Sequence, residues 1–404
     1  MKIIWLSHFL LYPDTGFGAL QRSRNLLIEL SKYHEIICLS YYRDVDIRES
    51  VNLVAARDDL EKYCKRVLFI PHLSYSGTRY KYVTFAKSIA SARPYSALIY
   101  RSQEFRNSIV DIIEKESMDL LYSDTLGLSD DVLKRINIPR ILNHHNIESD
   151  MMYRRARKER NRIKKALMFY EAYKIKAYEK KYCHLYSKNI VVSDLDKARL
   201  SRINPEANIE VVENGVNCSY FGFHPRKENG AELIFTGGLD WYPNLDAMVF
   251  FCKKVWPKLS AEIPGIRLTI IGKNPGTELD GIAEKHKNIF IKGFVPDVRE
   301  YMKKASIFIC PIRDGGGTKL KILDAMAQGV PIVSSTLGCE GIDAIDGTHL
   351  LIANKPDDYL SAVKDLIGNL EKQNKLAANA YNLVKDKYSY STLGLKFNQI
   401  VESA

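Results

Sequence analysis

The chain lacks the residues that would staple it or anchor it. Its seven cysteines (Cys38, Cys64, Cys183, Cys218, Cys252, Cys310 and Cys339) are scattered, odd in number and never spaced as C-x-x-C. That argues against a disulfide framework or a zinc site and for free thiols in a reducing compartment. No apolar run approaches the roughly 20 residues needed to cross a bilayer. The opening MKIIWLSHFLLYPDTG is interrupted by Ser7 and His8 and has no small-residue cleavage site. A signal peptide is therefore not expected, and a cytoplasmic protein is. There is no G-x-x-x-x-G-K-[ST] loop, and no RRM, KH, zinc-finger or helix-turn-helix signature.

What is present describes an ordinary globular chain, 46% hydrophobic and 26% charged over 404 residues. That length suits two or three domains. The net charge of +11 admits anionic partners. Twelve Lys/Arg fall between Arg154 and Lys181, opposed by Glu159, Glu171 and Glu179. A basic helix over 151–184 is expected there. It reads as a solvated helix with snorkelling lysines or as a contact with an anionic membrane surface. Tyr153, Tyr170, Tyr173, Tyr178, Tyr182 and Tyr186 are interleaved with the cations, but without a recognition module nucleic acid is not the expected partner.

Short β-branched runs alternate with helical patterns. Strands are expected at Lys2–Leu6, Ile36–Leu39, Val67–Ile70, Ala97–Tyr100, Leu120–Tyr122, Arg140–Asn143 and Asn189–Val192. A second set follows at Leu233–Thr236, Leu268–Ile271, Ile289–Lys292, Ser306–Cys310, Ile332–Ser334 and Leu350–Ile352. Helices are expected at Leu20–Ser31, Asn244–Leu259, Lys319–Gln328, Asp357–Lys387 and Ser391–Ser403. The alternation predicts an α/β fold with parallel sheets, and thirteen strands divide more easily into two doubly wound domains than into one wide sheet. The boundary is expected after Val212, at Glu213-Asn214-Gly215, with Phe223–Gly230 as a polar linker. In such sheets ligands bind beyond the carboxyl ends of the strands.

The most informative stretch is Cys310-Pro-Ile-Arg-Asp-Gly-Gly-Gly-Thr-Lys-Leu-Lys-Ile-Leu-Asp-Ala-Met-Ala-Gln-Gly-Val-Pro331. A strand runs into three glycines and then a helix. Glycines let backbone N–H groups approach a phosphate, and the helix end adds about half a positive charge. Thr318 is placed to cap the helix, and Lys319 and Lys321 bring cations to the same end.

This stretch resembles the donor-site signature of retaining GT-B glycosyltransferases of glycosyltransferase family four. Other segments match in order: Tyr12–Gly18 with Arg22, Leu142–Ser149, Val191–Asp196, Val212–Asn217, Phe235–Asp246, Ile270–Gly272, Gly293–Asp297 and Ser334–Ile342. The resemblance covers essentially the whole chain. It implies two Rossmann-like domains facing a central cleft: 1–213 for the acceptor, 214–385 for the donor, and a closing helix at 386–404 that returns to the first domain. It implies transfer of a sugar from a nucleotide-diphosphate sugar to a glycan or polyprenyl-linked acceptor, with retention. No cofactor and no metal are expected, and the triplets Asp44-Val-Asp46 and Asp194-Leu-Asp196 read as polar surface or a helix cap.

The resemblance implies a donor site built from Gly16, Gly18, Gly237, Gly238, Lys273, Phe294, Val295, Gly315, Gly316, Gly317, Thr318, Lys319, Leu320 and Asp324. The Asp324 carboxylate would receive the ribose hydroxyls, and Lys319, with Lys321 or Lys273, would neutralise the diphosphate. His145, rather than His144, would face the donor sugar. Most members carry a carboxylate at the position of Gly316, and Asp314 is the expected substitute. Arg22 reads either as a phosphate contact or as a surface cation. Two alternatives stay open: a GT-B nucleotide-sugar epimerase, or a degenerate GT-B fold that binds nucleic acid or a protein partner.

Overall fold

The computed structural model describes residues 1–13, 18–43, 52–72, 78–129, 136–228, 230–315 and 317–404. Contacts divide them into two units, one of residues 1–213 with 393–404 and the other of residues 214–392.

Unit 1 is built on seven parallel strands: β1 (Lys2–Ser7), β2 (Glu35–Tyr42), β3 (Arg66–Pro71), β4 (Leu120–Ser123), β5 (Arg140–Asn143), β6 (Lys188–Val191) and β7 (Ile209–Val211). They lie in the order β3-β2-β1-β4-β5-β6-β7. The labelled helices are α1 (Gly18–Leu30), α2 (Glu148–Lys158), α3 (Arg162–Tyr182) and α4 (Asp194–Ile203). Ile3, Trp5, Tyr122 and Ile141 bury one face of the sheet against Leu26, Leu27 and Leu30 of α1.

Unit 2 has six parallel strands: β8 (Glu232–Thr236), β9 (Arg267–Ile271), β10 (Ile289–Ile291), β11 (Ile307–Cys310), β12 (Ile332–Ser334) and β13 (Leu351–Ile352). Their order is β10-β9-β8-β11-β12-β13. The labelled helices are α5 (Tyr242–Phe250), α6 (Leu320–Ala327) and α7 (Pro356–Leu366). Helix α8 (Tyr390–Glu402) then carries the chain into unit 1, where Leu393, Phe397 and Val401 join the core around Trp5 and Tyr122. A Cβ on Gly394 would stand 2.5 Å from Cβ of Glu29, so α8 lies against α1 with no room for a side chain at that crossing.

Several expectations need correction. Ala97–Tyr100 is not a strand, because residues Tyr95–Ile99 form a helical turn after Pro94. A short apolar run of that length does not separate the two states. The helix expected at Asn244–Leu259 is present within a helical run from Tyr242 to Glu262 that widens at Phe251–Val255, whereas Asp357–Lys387 is broken near Gly368. The single basic helix over 151–184 is two helices, α2 and α3, restarted by Asn161, whose Oδ1 accepts the Lys164 N–H at 3.0 Å. Its Lys174 is buried and paired with Glu171 at 2.6 Å, and Tyr178, Tyr182 and Tyr186 are buried as well. Phe223–Gly230 is no free linker, because Arg226 is buried and donates to the carbonyls of Met302 (3.1 Å), Lys303 (2.9 Å) and Ala305 (2.5 Å).

Candidate active site

In unit 2 the strand order reverses between β8 and β11, and the glycine loop leaves β11 there. Gly315 (φ 108°) and Gly317 (φ 69°) take backbone conformations that residues with a Cβ disfavour. Gly316 lies outside the described residues, as does Gly16. The Gly315 N–H donates to Asp314 Oδ1 at 2.7 Å, and the Lys319 ammonium donates to the Gly317 carbonyl at 2.6 Å. Thr318 does not cap α6. The cap position is Lys319, no side chain caps the helix, and Leu320 is its first residue. The Thr318 hydroxyl is buried and has no hydrogen-bond partner among the described residues.

Lys321 reaches from α6 to the loop that follows β8. Its ammonium donates to Asn244 Oδ1 at 2.7 Å and lies 4.2 Å from the centre of the Phe235 ring. The Asn244 amide in turn donates to the Gly238 carbonyl at 2.7 Å. Gly237 (φ 148°) permits this approach, since a Cβ there would stand 2.3 Å from the Lys321 nitrogen. Burial pulls the Lys321 pKa down to about 8, with Lys319 adding to the shift and Cys310 and Asp324 opposing it. One turn further along α6, burial pushes the Asp324 carboxyl up to about 7 against the pull of Lys321. Two lysines, an uncapped helix end and a carboxyl of raised pKa therefore surround one loop. Such an arrangement can hold a diphosphate and accept hydrogen bonds from a polyol.

The ends of β9 and β10 adjoin it. The Leu239 N–H donates to the Lys273 carbonyl and the Gly272 N–H to the Gly293 carbonyl, both at 2.9 Å. Lys273 is exposed, with its ammonium 4.7 Å from the centre of the exposed Phe294 ring, and Val295 is buried. Arg313 holds the other flank through Asp246, at 2.7 Å. Asn244, Phe235 and Asp246 were quoted in the sequence match without a role. Their signal, a polar residue just inside the helix after a Gly-Gly turn, is weak.

In unit 1 a second polar cluster follows β1, β4 and β5. Asp124 is fully buried. Its Oδ1 accepts from the Asn143 amide (2.9 Å) and lies 3.1 Å from His145 Nε2, and its Oδ2 accepts from the Ser23 hydroxyl (2.6 Å). Burial alone would raise its pKa, but His145, His8 and Ser23 outweigh it and hold the carboxyl below its ordinary value. His8 is pushed down to about 3, chiefly by burial, so it is neutral at physiological pH. His144 is buried against Asn189 (3.2 Å) and lowered to about 4 by burial, which makes it a neutral core histidine. Gly18 is exposed at the first residue of α1.

Arg22 is not a surface cation. It is fully buried and donates to the carbonyls of Glu213 (2.6 Å) and Val212 (2.7 Å) and to Asn143 Oδ1 (3.4 Å). Asp124 was missed, although a polar residue directly after an apolar strand is a readable signal. Asp194-Leu-Asp196 opens α4, where Ser193 Oγ accepts the Asp196 N–H (3.2 Å) and donates to Asp196 Oδ2 (2.9 Å) as a helix cap. Asp44 and Asp46 lie outside the described residues.

The unfolded chain releases an aspartate proton near pH 4, whereas folded Asp324 holds its proton to about 7. Folding therefore takes up a proton between these values, and stability drawn from the neutral carboxyl is lost as pH rises through that window. Asp324→Asn should melt progressively higher than the wild type as pH rises from about 4 to about 7, with the gap level above that. A melting difference independent of pH would show that the carboxyl is hydrated.

Residues 230–369 match the family model described as glycosyl transferases group 1. An uncharacterised 44.6 kDa protein in a cps region of Klebsiella pneumoniae is 26% identical over 407 residues, covering 96% of each chain. A phosphatidyl-myo-inositol mannosyltransferase of Mycobacterium tuberculosis is 26% identical over 229 residues, covering 53% of this chain and 59% of its own. Among solved structures, HepE of Anabaena in complex with UDP and glucose superposes with a TM-score of 0.68 at 13% identity, covering 100% of both chains. Sucrose-phosphate synthase of Thermosynechococcus elongatus gives 0.70 at 14% identity, covering 100% of this chain and 99% of its own. The chain thus has the GT-B fold of glycosyltransferases, and residues 230–369, in the C-terminal unit, form a group 1 glycosyl transferase domain.

Proposed function

We propose that this glycosyltransferase moves a hexose-type group from a nucleotide-diphosphate sugar to a glycan or polyprenyl-linked acceptor, with retention, in the synthesis of surface polysaccharide or another glycoconjugate. The observation that carries the reading is the meeting of Lys319, Lys321 and the uncapped end of α6 at one glycine loop. The anomeric C–O bond breaks and its electron pair goes to the terminal phosphate oxygen. The acceptor oxygen forms the new bond, and its proton passes to an oxygen of the departing diphosphate. Lysines and the helix end take the growing negative charge in the role that a metal has elsewhere. The buried Thr318 hydroxyl suits a phosphate oxygen, and Asp324 suits the ribose.

The relatives support the class of substrate. HepE is described with UDP and UDP-glucose, the Klebsiella protein by its cps region, and the mycobacterial enzyme as acting on phosphatidyl-myo-inositol. A lipid-linked acceptor would bring the enzyme to the inner face of a membrane. The exposed cations Arg155, Arg157, Lys158, Arg160, Arg162 and Lys164 support that contact, as do the exposed Ile163, Tyr170 and Tyr173 of α3. Each well-placed cation adds about 1 kcal/mol on an anionic surface.

A ligand at a hundred times its dissociation constant adds about 2.7 kcal/mol of stability. A thermal-shift panel of nucleoside diphosphates and nucleotide sugars should single out one base, with the same shift in EDTA. No shift from any of them would remove the donor site, and loss of the shift in EDTA would remove metal independence. Lys319→Ala should lower kcat by about 10²–10³ with the fold intact, and wild-type turnover in that variant would clear Lys319 of the leaving-group role. The protein should co-sediment with vesicles containing phosphatidylglycerol but not with pure phosphatidylcholine. The triple variant Arg157→Glu, Lys158→Glu, Lys164→Glu should stay in the supernatant, and equal binding to both vesicle types would end the membrane assignment.

A further inference from the structure

Between the loop after β11 and the loop after β12 lies a cavity of about 580 Å³, within the roughly 300–1,000 Å³ of small-molecule sites. Ile312 and Arg313 line it from the first loop, Ser335 and Glu340 from the second, with Asn354 and Tyr359 completing the wall. Most of its polar groups are already engaged. The Ser335 hydroxyl donates to the Ile312 carbonyl (2.5 Å) and accepts the Gly338 N–H (2.9 Å). The Asn354 amide donates to Thr336 Oγ1 and its oxygen accepts the Thr336 N–H, both at 3.0 Å. Arg313 is paired with Asp246. Glu340 differs, because its Oε2 is buried and has no hydrogen-bond partner among the described residues. A buried carboxylate oxygen without a donor is costly, and it is the atom a hydroxyl-bearing ligand would satisfy.

The position of the cavity says which part of a ligand it takes. Lys321 bridges to Asn244 on the β8 side of the glycine loop, and Asp324 is close enough to Lys321 for each to shift the other. The cavity lies on the β12 side of the same loop. A nucleotide sugar is a diphosphate with a polyol at each end. With the diphosphate at the glycine loop and the ribose towards Asp324, the sugar extends to the cavity. We propose that Glu340 accepts a hydrogen bond from a hydroxyl of the transferred sugar in this cavity, supplying the carboxylate absent at Gly316. Asp314 is less suited, because its Oδ1 already takes the Gly315 N–H. The assignment rests on the donor-site reading above.

The test measures, by calorimetric titration, affinities for the nucleoside diphosphate selected from UDP, GDP and dTDP and for its glucose or mannose conjugate. A hydrogen bond to a charged group is worth roughly tenfold or more in affinity. Glu340→Ala should weaken the nucleotide sugar about tenfold or more and leave the nucleoside diphosphate within about twofold of wild type. Glu340→Gln keeps the shape of the loop and should fall between the two. Unchanged diphosphate affinity also reports that each variant is folded. Equal weakening of both ligands, or of neither, overturns the assignment to the sugar. A wild-type protein that binds none of the diphosphates fails at the donor site instead, and the assignment falls with it.

Discussion

A parallel strand cannot reach its neighbour by a hairpin; it must return through a crossover, and that single constraint arranges both units. In each sheet the first strands run outward to one edge and the chain then comes back to the starting strand's other side, so that β1 meets β4 and β8 meets β11. Crossovers leave in opposite directions there, and the carboxyl edge between them is uncovered. Both polar clusters occur at these reversals. In unit 1 they are Asp124 after β4 and His145 after β5; in unit 2 they are Gly237 after β8, the glycine loop after β11 and Glu340 after β12.

The two clusters are balanced differently. Asp124 in unit 1 has its desolvation offset by Asn143, His145 and Ser23, and Arg22 spends its guanidinium on the carbonyls of Val212 and Glu213. Such a network holds its residues in one geometry. In unit 2 the Thr318 hydroxyl and Glu340 Oε2 are buried without partners among the described residues, and both Lys321 and Asp324 are drawn towards neutrality by burial. The burial of those two groups is a cost that a bound anion and its hydroxyls would offset.

Much of the fold was legible because its signals are local. Apolar runs, most of them ending at Gly, Pro, Asn or Ser, marked twelve strands to within a few residues, and a glycine run between strand and helix marked the loop before α6. The misses share a cause. Tyr95–Ile99 is too short for its periodicity to declare helix or strand. The break between α2 and α3 rests on one asparagine cap inside a run of helix formers. Burial inverted the reading of charge in three places. Arg22, Lys174 and Arg226 look like solvated cations in sequence, yet each is inside, satisfied by backbone carbonyls or a carboxylate brought from elsewhere.

The sequence by itself determined the alternation of strand and helix, the glycine loop and the cations beside it, since these depend on neighbours a few residues apart. Only the tertiary structure decided which polar groups meet. Lys321 and Asn244 are 77 residues apart, and Arg22 and Val212 are 190 apart. No local pattern encodes those pairings; they exist because parallel crossovers bring distant strand ends to one edge, where burial then sets the charge state of what it has gathered.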